Sequence, residues 1–215
     1  MKIKYIILAL FLTIICLSSL VYYNTSTVHK YKKLVKVYTN AVKNAVEQNG
    51  AIDSWKINNA AAFFQFIKTD LNIDKICREN DENESCFIKK YPRLNNMGTI
   101  NMWKKNFYKF TLKDGSSGAI YFNFPKCDIS DTNNPDSPLN FLCGSIWFDV
   151  NGLESPNVYG IDLFQLLITK DGVLMPRGHK DDAKYSIEKH CKNRSHTGDA
   201  CGAWILEHGN QDYLE

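Results

Sequence analysis

Apolar positions follow three different patterns along this chain. From Tyr5 to Tyr23 the run YIILALFLTIICLSSLVYY holds 19 residues without a charge. As a helix rising 1.5 Å per residue it would span roughly 28 Å, close to the hydrocarbon core of a bilayer. From Val28 to Val46 the pattern becomes one-sided, with Val28, Tyr31, Leu34 or Val35, Tyr38, Ala41 or Val42, Ala45 and Val46 at helical spacing and lysines on the opposite face. Gly50 is the first glycine and a natural helix stop. The spacing therefore predicts one continuous helix over Ile3–Asn49, 47 residues and about 70 Å long, its first half in lipid and its second half laid on a head. From Phe107 the period changes to two. FYKFTLKDGSSGAIYFNF reads as strand, turn, strand, and FLCGSIWFDV, LFQLLIT and VLMP read as further strands.

Between these regions, NNAAAFFQFIKTDL predicts a second helix over Asn58–Leu71, capped by Asn58 or Asn59 and apolar on most sides, as suits a buried element. CRENDENESC reads as a solvated acidic loop. A long helix followed by consecutive antiparallel strands and a loop-rich tail makes an α+β fold. The expected organisation is residues 1–27 as the transmembrane half of the N-terminal helix, and residues 28–215 as an extracytoplasmic head that includes the helix's second half.

Charge changes this picture little. The chain carries 26 basic and 23 acidic residues, a net charge of +3, which is no nucleic-acid footprint, and no nucleic-acid partner is expected. A cleaved signal peptide competes with the membrane anchor, since Lys2 and Lys4 make a basic start, but no small-residue cleavage site follows. Basic residues flank the apolar run on both sides, and Lys30, Lys32, Lys33 and Lys36 alone would turn the head inward. The cysteines argue for the outside. Beyond Cys16 they are Cys77, Cys86, Cys127, Cys143, Cys191 and Cys201. Six cysteines permit fifteen connectivities, of which nearest-neighbour bridging closes three short loops and suits an oxidising compartment.

The segment FDVNGLESPNVYGIDLFQLLIT, the KDG turn after it and the late CGAWILEHG are similar to segments of bacterial type IV pilins and type II secretion pseudopilin-like proteins. The resemblance extends over the whole chain and implies a pilin-like fold: a membrane-embedded N-terminal helix packed on an antiparallel sheet, with disulfide-closed loops. It also implies a structural role as a minor pilin or pseudopilin-like subunit, with other such subunits and the membrane as partners. Such a subunit sits in the inner membrane with its head in the periplasm or at the cell surface, alone or in a filament. Assembly would run through the apolar helix face, with Ile7, Leu10, Phe11, Ile14, Leu17 and Val21 as its residues. The chain departs from the family at the prepilin-peptidase site, since no glycine precedes Gly50 and no acidic residue precedes Glu47. The alternative is a single-pass membrane-anchored extracytoplasmic binding module or adhesin.

Candidate chemistry is concentrated in one loop. Asp149, Asn151, Asn157 and Asp162 supply the hard oxygen ligands that calcium takes, and some major pseudopilins hold calcium in a loop of the head. The same residues also serve as Asx turns beside Gly152, Gly160 and Pro156, without any ion. Calcium is the one cofactor indicated. No G-x-S-x-G, H-E-x-x-H, P-loop or dinucleotide-binding glycine pattern occurs, and no enzymatic activity is expected. Asp181, Asp182, Glu188 and His190 could gather round a metal, although a solvated helix between two loops explains the same residues with less. Trp103, Phe107, Tyr108 and Phe110 interleave with Lys104, Lys105 and Lys109 either as a sugar or single-strand platform or as a half-buried strand with a basic solvent face.

Overall fold

A computed structural model of the chain describes residues 2–78, 85–103 and 106–215, and gives residues 2–24 by their helical backbone only. Helix α1 runs over Lys2–Asn49. It ends where Gly50 takes a left-handed conformation, φ +79°, which glycine adopts without Cβ strain. Helix α2 covers Ala60–Ile67, and the Asn59 side chain caps it by accepting from the Ala62 amide at 2.8 Å. A 3-10 turn over Lys68–Asp70 follows, so the helix predicted over Asn58–Leu71 is trimmed at both ends.

The strands are β1 (Ile73–Arg78), β2 (Lys90–Pro92), β3 (Thr99–Asn101), β4 (Phe107–Leu112), β5 (Ser117–Phe122), β6 (Leu142–Asp149), β7 (Leu163–Thr169) and β8 (Leu174–Pro176). Strands β4 to β8 form an antiparallel meander with β1 added beside β4, in the order β1-β4-β5-β6-β7-β8, while β2 and β3 pair separately. The β4–β5 turn closes at DGSSG, where the Ser116 hydroxyl donates to Asp114 at 2.6 Å and Gly115 has φ +86°. Two short helices lie in the tail, α3 (Ile187–His190) and α4 (Cys201–His208).

Helices α1 and α2 cover one face of the sheet. Tyr31, Leu34, Tyr38, Ala41, Val42 and Ala45 are buried there, and their i, i+3, i+4, i+7 spacing is the reason that one stripe of α1 suffices. Opposite them stand Phe110, Ile120, Phe148, Phe164 and Leu166. Burying a leucine or phenylalanine in this way contributes about 1.5–3 kcal/mol. The Tyr31 ring meets Phe164 at 4.6 Å, Tyr38 meets Phe148 at 5.5 Å, and Phe63 and Phe64 of α2 meet Phe122 and Phe110, each at 5.1 Å. Two glycines make room for the tyrosines. A Cβ on Gly118 would lie 2.5 Å from both the Phe110 ring and the Tyr38 hydroxyl, and a Cβ on Gly202 would lie 2.6 Å from the Tyr31 hydroxyl.

Three disulfides close the head, Cys77–Cys86, Cys127–Cys143 and Cys191–Cys201, spanning 9, 16 and 10 residues. They are the nearest-neighbour pairs, and loops of this size are worth roughly 3 kcal/mol each when chain entropy is counted.

Several expectations require correction. The antiparallel α+β architecture is present, but the membrane-embedded helix is not: among the described residues, no helix is long and apolar enough to cross a membrane. The physical reason lies in the described part of α1, where Lys30, Lys32, Lys33, Lys36 and Lys43 occupy the face away from the sheet and the apolar stripe is used on the sheet. The apolar run Tyr5–Tyr23, the boundary at residue 27 drawn from it, and the side chains of Ile7, Leu10, Phe11, Ile14, Leu17 and Val21 rest on positions outside those with described side chains. Strand β4 has no basic solvent face. Lys109 is fully buried, because a second apolar cluster of Phe87, Tyr91, Met102 and Tyr159 covers Phe107 and Ala119 on the far side of the sheet. Tyr108 and Phe110 belong to the helix-covered core, and Lys104 and Lys105 lie outside the described residues. In the tail, the solvated helix expected between two loops within His179–His196 is the single turn Ile187–His190, and α4 adds a second helix to the tail read as loop-rich.

Candidate functional site

Two places on the far side of the sheet gather polar groups. The first is the loop from β6 to β7. Asp149 ends β6 directly opposite Leu163, which starts β7, and Asp149 and Asp162 are both fully buried. Asp162 acts as a double cap: one carboxylate oxygen accepts from the Asn157 amide at 2.6 Å and the other from the Val158 amide at 2.7 Å. Asp149 accepts from the Asn151 amide at 3.0 Å. The Asn151 and Asn157 side-chain amides donate to the Ser155 and Leu153 carbonyls at 3.1 and 3.2 Å. From outside, Tyr213 donates to the Gly160 carbonyl at 2.7 Å, Gln211 donates to the Ile161 carbonyl at 3.0 Å, and the Tyr159 amide donates to the Pro92 carbonyl at 2.9 Å.

The same loop holds electrostatic tension. Burial, then the nearby Asp162, pushes the Asp149 carboxyl well above the ordinary carboxylate range. Burial also raises Asp162, to about 6, against the backbone amides that favour its charged form. Asn151 Oδ1 and Asn157 Oδ1 are buried without a hydrogen bond, and the buried Asp149 Oδ2 stands with the Tyr91 hydroxyl beside its carboxyl, a contact that favours the ionised form. These three oxygens, with Asp162, are what a calcium ion would draw on. With both Asp162 oxygens they make five, one short of calcium's usual six to eight unless backbone carbonyls or waters add to them, and both Asp162 oxygens already serve amides. The hydrogen-bond pattern fits a structural turn without an ion. The other candidate metal set does not assemble: among the described residues, no group of three or more His, Cys, Asp or Glu side chains comes together. Asp182 instead caps the Gly178, Lys184 and Tyr185 amides, and His190 Nδ1 lies 2.9 Å from Thr197 Oγ1.

The second place is a cleft of about 400 Å³ on the same side of the sheet. Antiparallel register explains its composition. Phe107, Tyr121, Ser145 and Leu167 lie side by side across β4 to β7, and Ala119, Trp147 and Gln165 form the adjacent row. The Arg177 amide donates to the Gln165 carbonyl at 3.1 Å and so extends the second row beyond the sheet. Trp147 donates its indole N–H to Ser145 at 3.0 Å, and its ring meets Phe107 edge-on at 6.1 Å. The Cys127–Cys143 disulfide ties the preceding loop to β6 and brings Asp131 to the rim. Arg177 binds Asp131 at 2.7 Å and Asp182 at 3.4 Å, and Lys184 reaches Asp131 at 3.4 Å. Burial alone would raise the Asp131 carboxyl, but the Arg177 hydrogen bond and the two cations outweigh it and hold it below its usual value.

Of the residues singled out from sequence, Asp149, Asn151, Asn157 and Asp162 share one loop, and the six head cysteines join as three bridges. The cleft was not anticipated. Alternation along FLCGSIWFDV and LFQLLIT does place Ser145, Trp147 and Gln165 on one face, which was the available signal. Nothing local in the sequence brings Asp131 and Arg177 to them. No family model, no curated protein and no solved structure matches the chain.

Proposed function

We propose that this chain is a structural subunit of the minor pilin or pseudopilin-like kind, joining a type IV pilus or type II secretion-type filament through its N-terminal helix. In this reading the disulfide-closed head is displayed outside the cytoplasm. The observation that carries it is the length of α1. At 1.5 Å per residue its 48 residues extend about 72 Å, whereas six strands at about 4.8 Å spacing make a sheet under 30 Å wide. The described positions of α1 buried on the head run from Thr27 to Ala45. In this reading the rest of the helix packs on neighbouring subunits, through Ile7, Leu10, Phe11, Ile14, Leu17 and Val21, which are apolar. The three disulfides suit an oxidising compartment, and the segment FDVNGLESPNVYGIDLF adds the likeness to pilin sequences.

The test is to shear surface filaments from cells making a tagged copy and to follow the chain by immunoblot, with Leu10→Asp and Ile14→Asp variants beside it. The expected result is that the parent chain travels with the filaments, while both variants are lost from them and keep a folded head by near-UV circular dichroism. Normal incorporation of the variants would overturn the reading.

A further inference from the structure

We propose that the cleft between β4–β7 and the Asp131 loop is a binding site for a neutral sugar, a hexose or short hexose chain. Its floor offers ring surface. Trp147 and Tyr121 are half-buried, with part of each side chain open to the cleft, and Phe107 lies beside them. The C–H face of a pyranose packs on such rings, since both are flat and weakly polar, while the sugar's edge carries hydroxyls that need partners. The rim supplies those partners. Gln165 and Asn106 provide amides that can donate and accept, and Asp131 and Arg177 provide an acceptor and a donor fixed by their own ion pair.

Charge selects among ligands of this size. Arg177 and Lys184 face Asp131 and Asp182, two positive groups against two negative ones, so the rim carries no net charge to attract an anion or a cation. Phosphate, nucleic-acid and acidic peptide ligands therefore gain no electrostatic advantage here, whereas a neutral polyol uses the balanced pair as it stands. A volume of about 400 Å³ falls within the range of small-molecule sites. The site is held in place by covalent and ionic links, the Cys127–Cys143 bridge on one side and Arg177 on the other, so little ordering cost falls on binding.

This inference stands apart from the assembly reading, because a subunit can fail to enter filaments and still bind sugar, or the reverse. The experiment titrates the full chain with glucose, galactose, maltose, lactose and chitobiose, by calorimetry and by amide chemical shifts, with glucuronate as the charged control. Saturable binding of at least one neutral sugar is expected, weakened at least about tenfold by Tyr121→Ser and by Gln165→Ala. Gln165 is half-exposed, so its variant keeps the test valid if Tyr121→Ser loses stability. The proposal is overturned by the absence of saturable binding with all five sugars, by binding that both variants leave unchanged, or by glucuronate binding more tightly than glucose.

Discussion

The two faces of the sheet are built by different means. The helix side is closed by the apolar stripe of α1, by α2 and by six or more aromatic rings, with the buried hydroxyls of Tyr31 and Tyr38 among them. The far side is covered in pieces, by one cluster round Phe87 and Tyr91 and a smaller one of Leu139, Leu142, Leu167 and Met175. Between the pieces lie the carboxylate loop and the cleft. Continuous apolar packing gives a face that can only be structural, while a face assembled from loops leaves room for polar groups, at a cost in stability that the bridges and ion pairs offset.

That difference can be broken at three points. Phe148 sits among Tyr31, Tyr38 and Phe164 on the helix side, and Phe148→Ala is expected to cost about 3–5 kcal/mol, measured by urea unfolding. A loss below about 1 kcal/mol would mean that the helix is less firmly seated than its burial implies.

The carboxylate loop should make the far side sensitive to pH. Asp162 is raised to about 6 in the folded chain and Asp149 is raised well above the ordinary range, so folding takes up protons, at Asp162 between the ordinary carboxylate range and about 6. Stability contributed by Asp162 is present at low pH and falls as pH rises through that window, by up to about 3 kcal/mol, and Asp149 acts in the same direction. Asp114 and Asp131, whose values are lowered, act oppositely and withdraw stability as pH falls below the ordinary range. Unfolding at pH 4.5 and pH 7 should show the chain more stable at the lower value, and Asp149→Asn should flatten the difference. If calcium occupies the loop, adding it at pH 7 raises the melting temperature of the parent chain and not of Asp149→Asn; no shift supports the purely structural turn.

The smallest of the three effects concerns the cleft rim. Arg177→Met removes the cation from Asp131 and Asp182, but Lys184 remains on Asp131 and backbone amides remain on Asp182. A loss of about 2 kcal/mol is expected, between the values for exposed and fully buried pairs. A larger loss than from Phe148→Ala would reverse the ranking of the two faces.

The two faces also differ in how far the sequence reveals them. Tyr31, Leu34, Tyr38 and Val42 repeat with the helical period and Ile120, Ile146 and Phe148 with the strand period, so the elements of the helix side and their buried sides are legible without coordinates. Strand β1, the β2–β3 pair and helix α4 are not, because short elements inside polar, cysteine-closed segments carry too few residues to show a period. Lys109 shows the limit from the other direction: a lysine at an alternating position reads as solvent-facing until a separate part of the chain covers it. The loop residues are identifiable from their types, but the use of Asp162 as an amide cap depends on where Asn157 and Val158 turn. The cleft depends on register across four strands and on Asp131–Arg177, 46 positions apart, which no local pattern encodes.

The pairing of Tyr31 with Gly202 and of Tyr38 with Gly118 fixes a direction in space. The two tyrosines are seven residues apart, two helical turns, and each needs a bare backbone beneath it, so α1 works as a key with two teeth. Sliding or rolling it would take both rings off the two glycines, the places where a Cβ would come within 2.6 Å of a tyrosine hydroxyl. The helix therefore leaves the head at one angle and with one rotation in every copy. Wherever many such helices run side by side, their heads must all point the same way round.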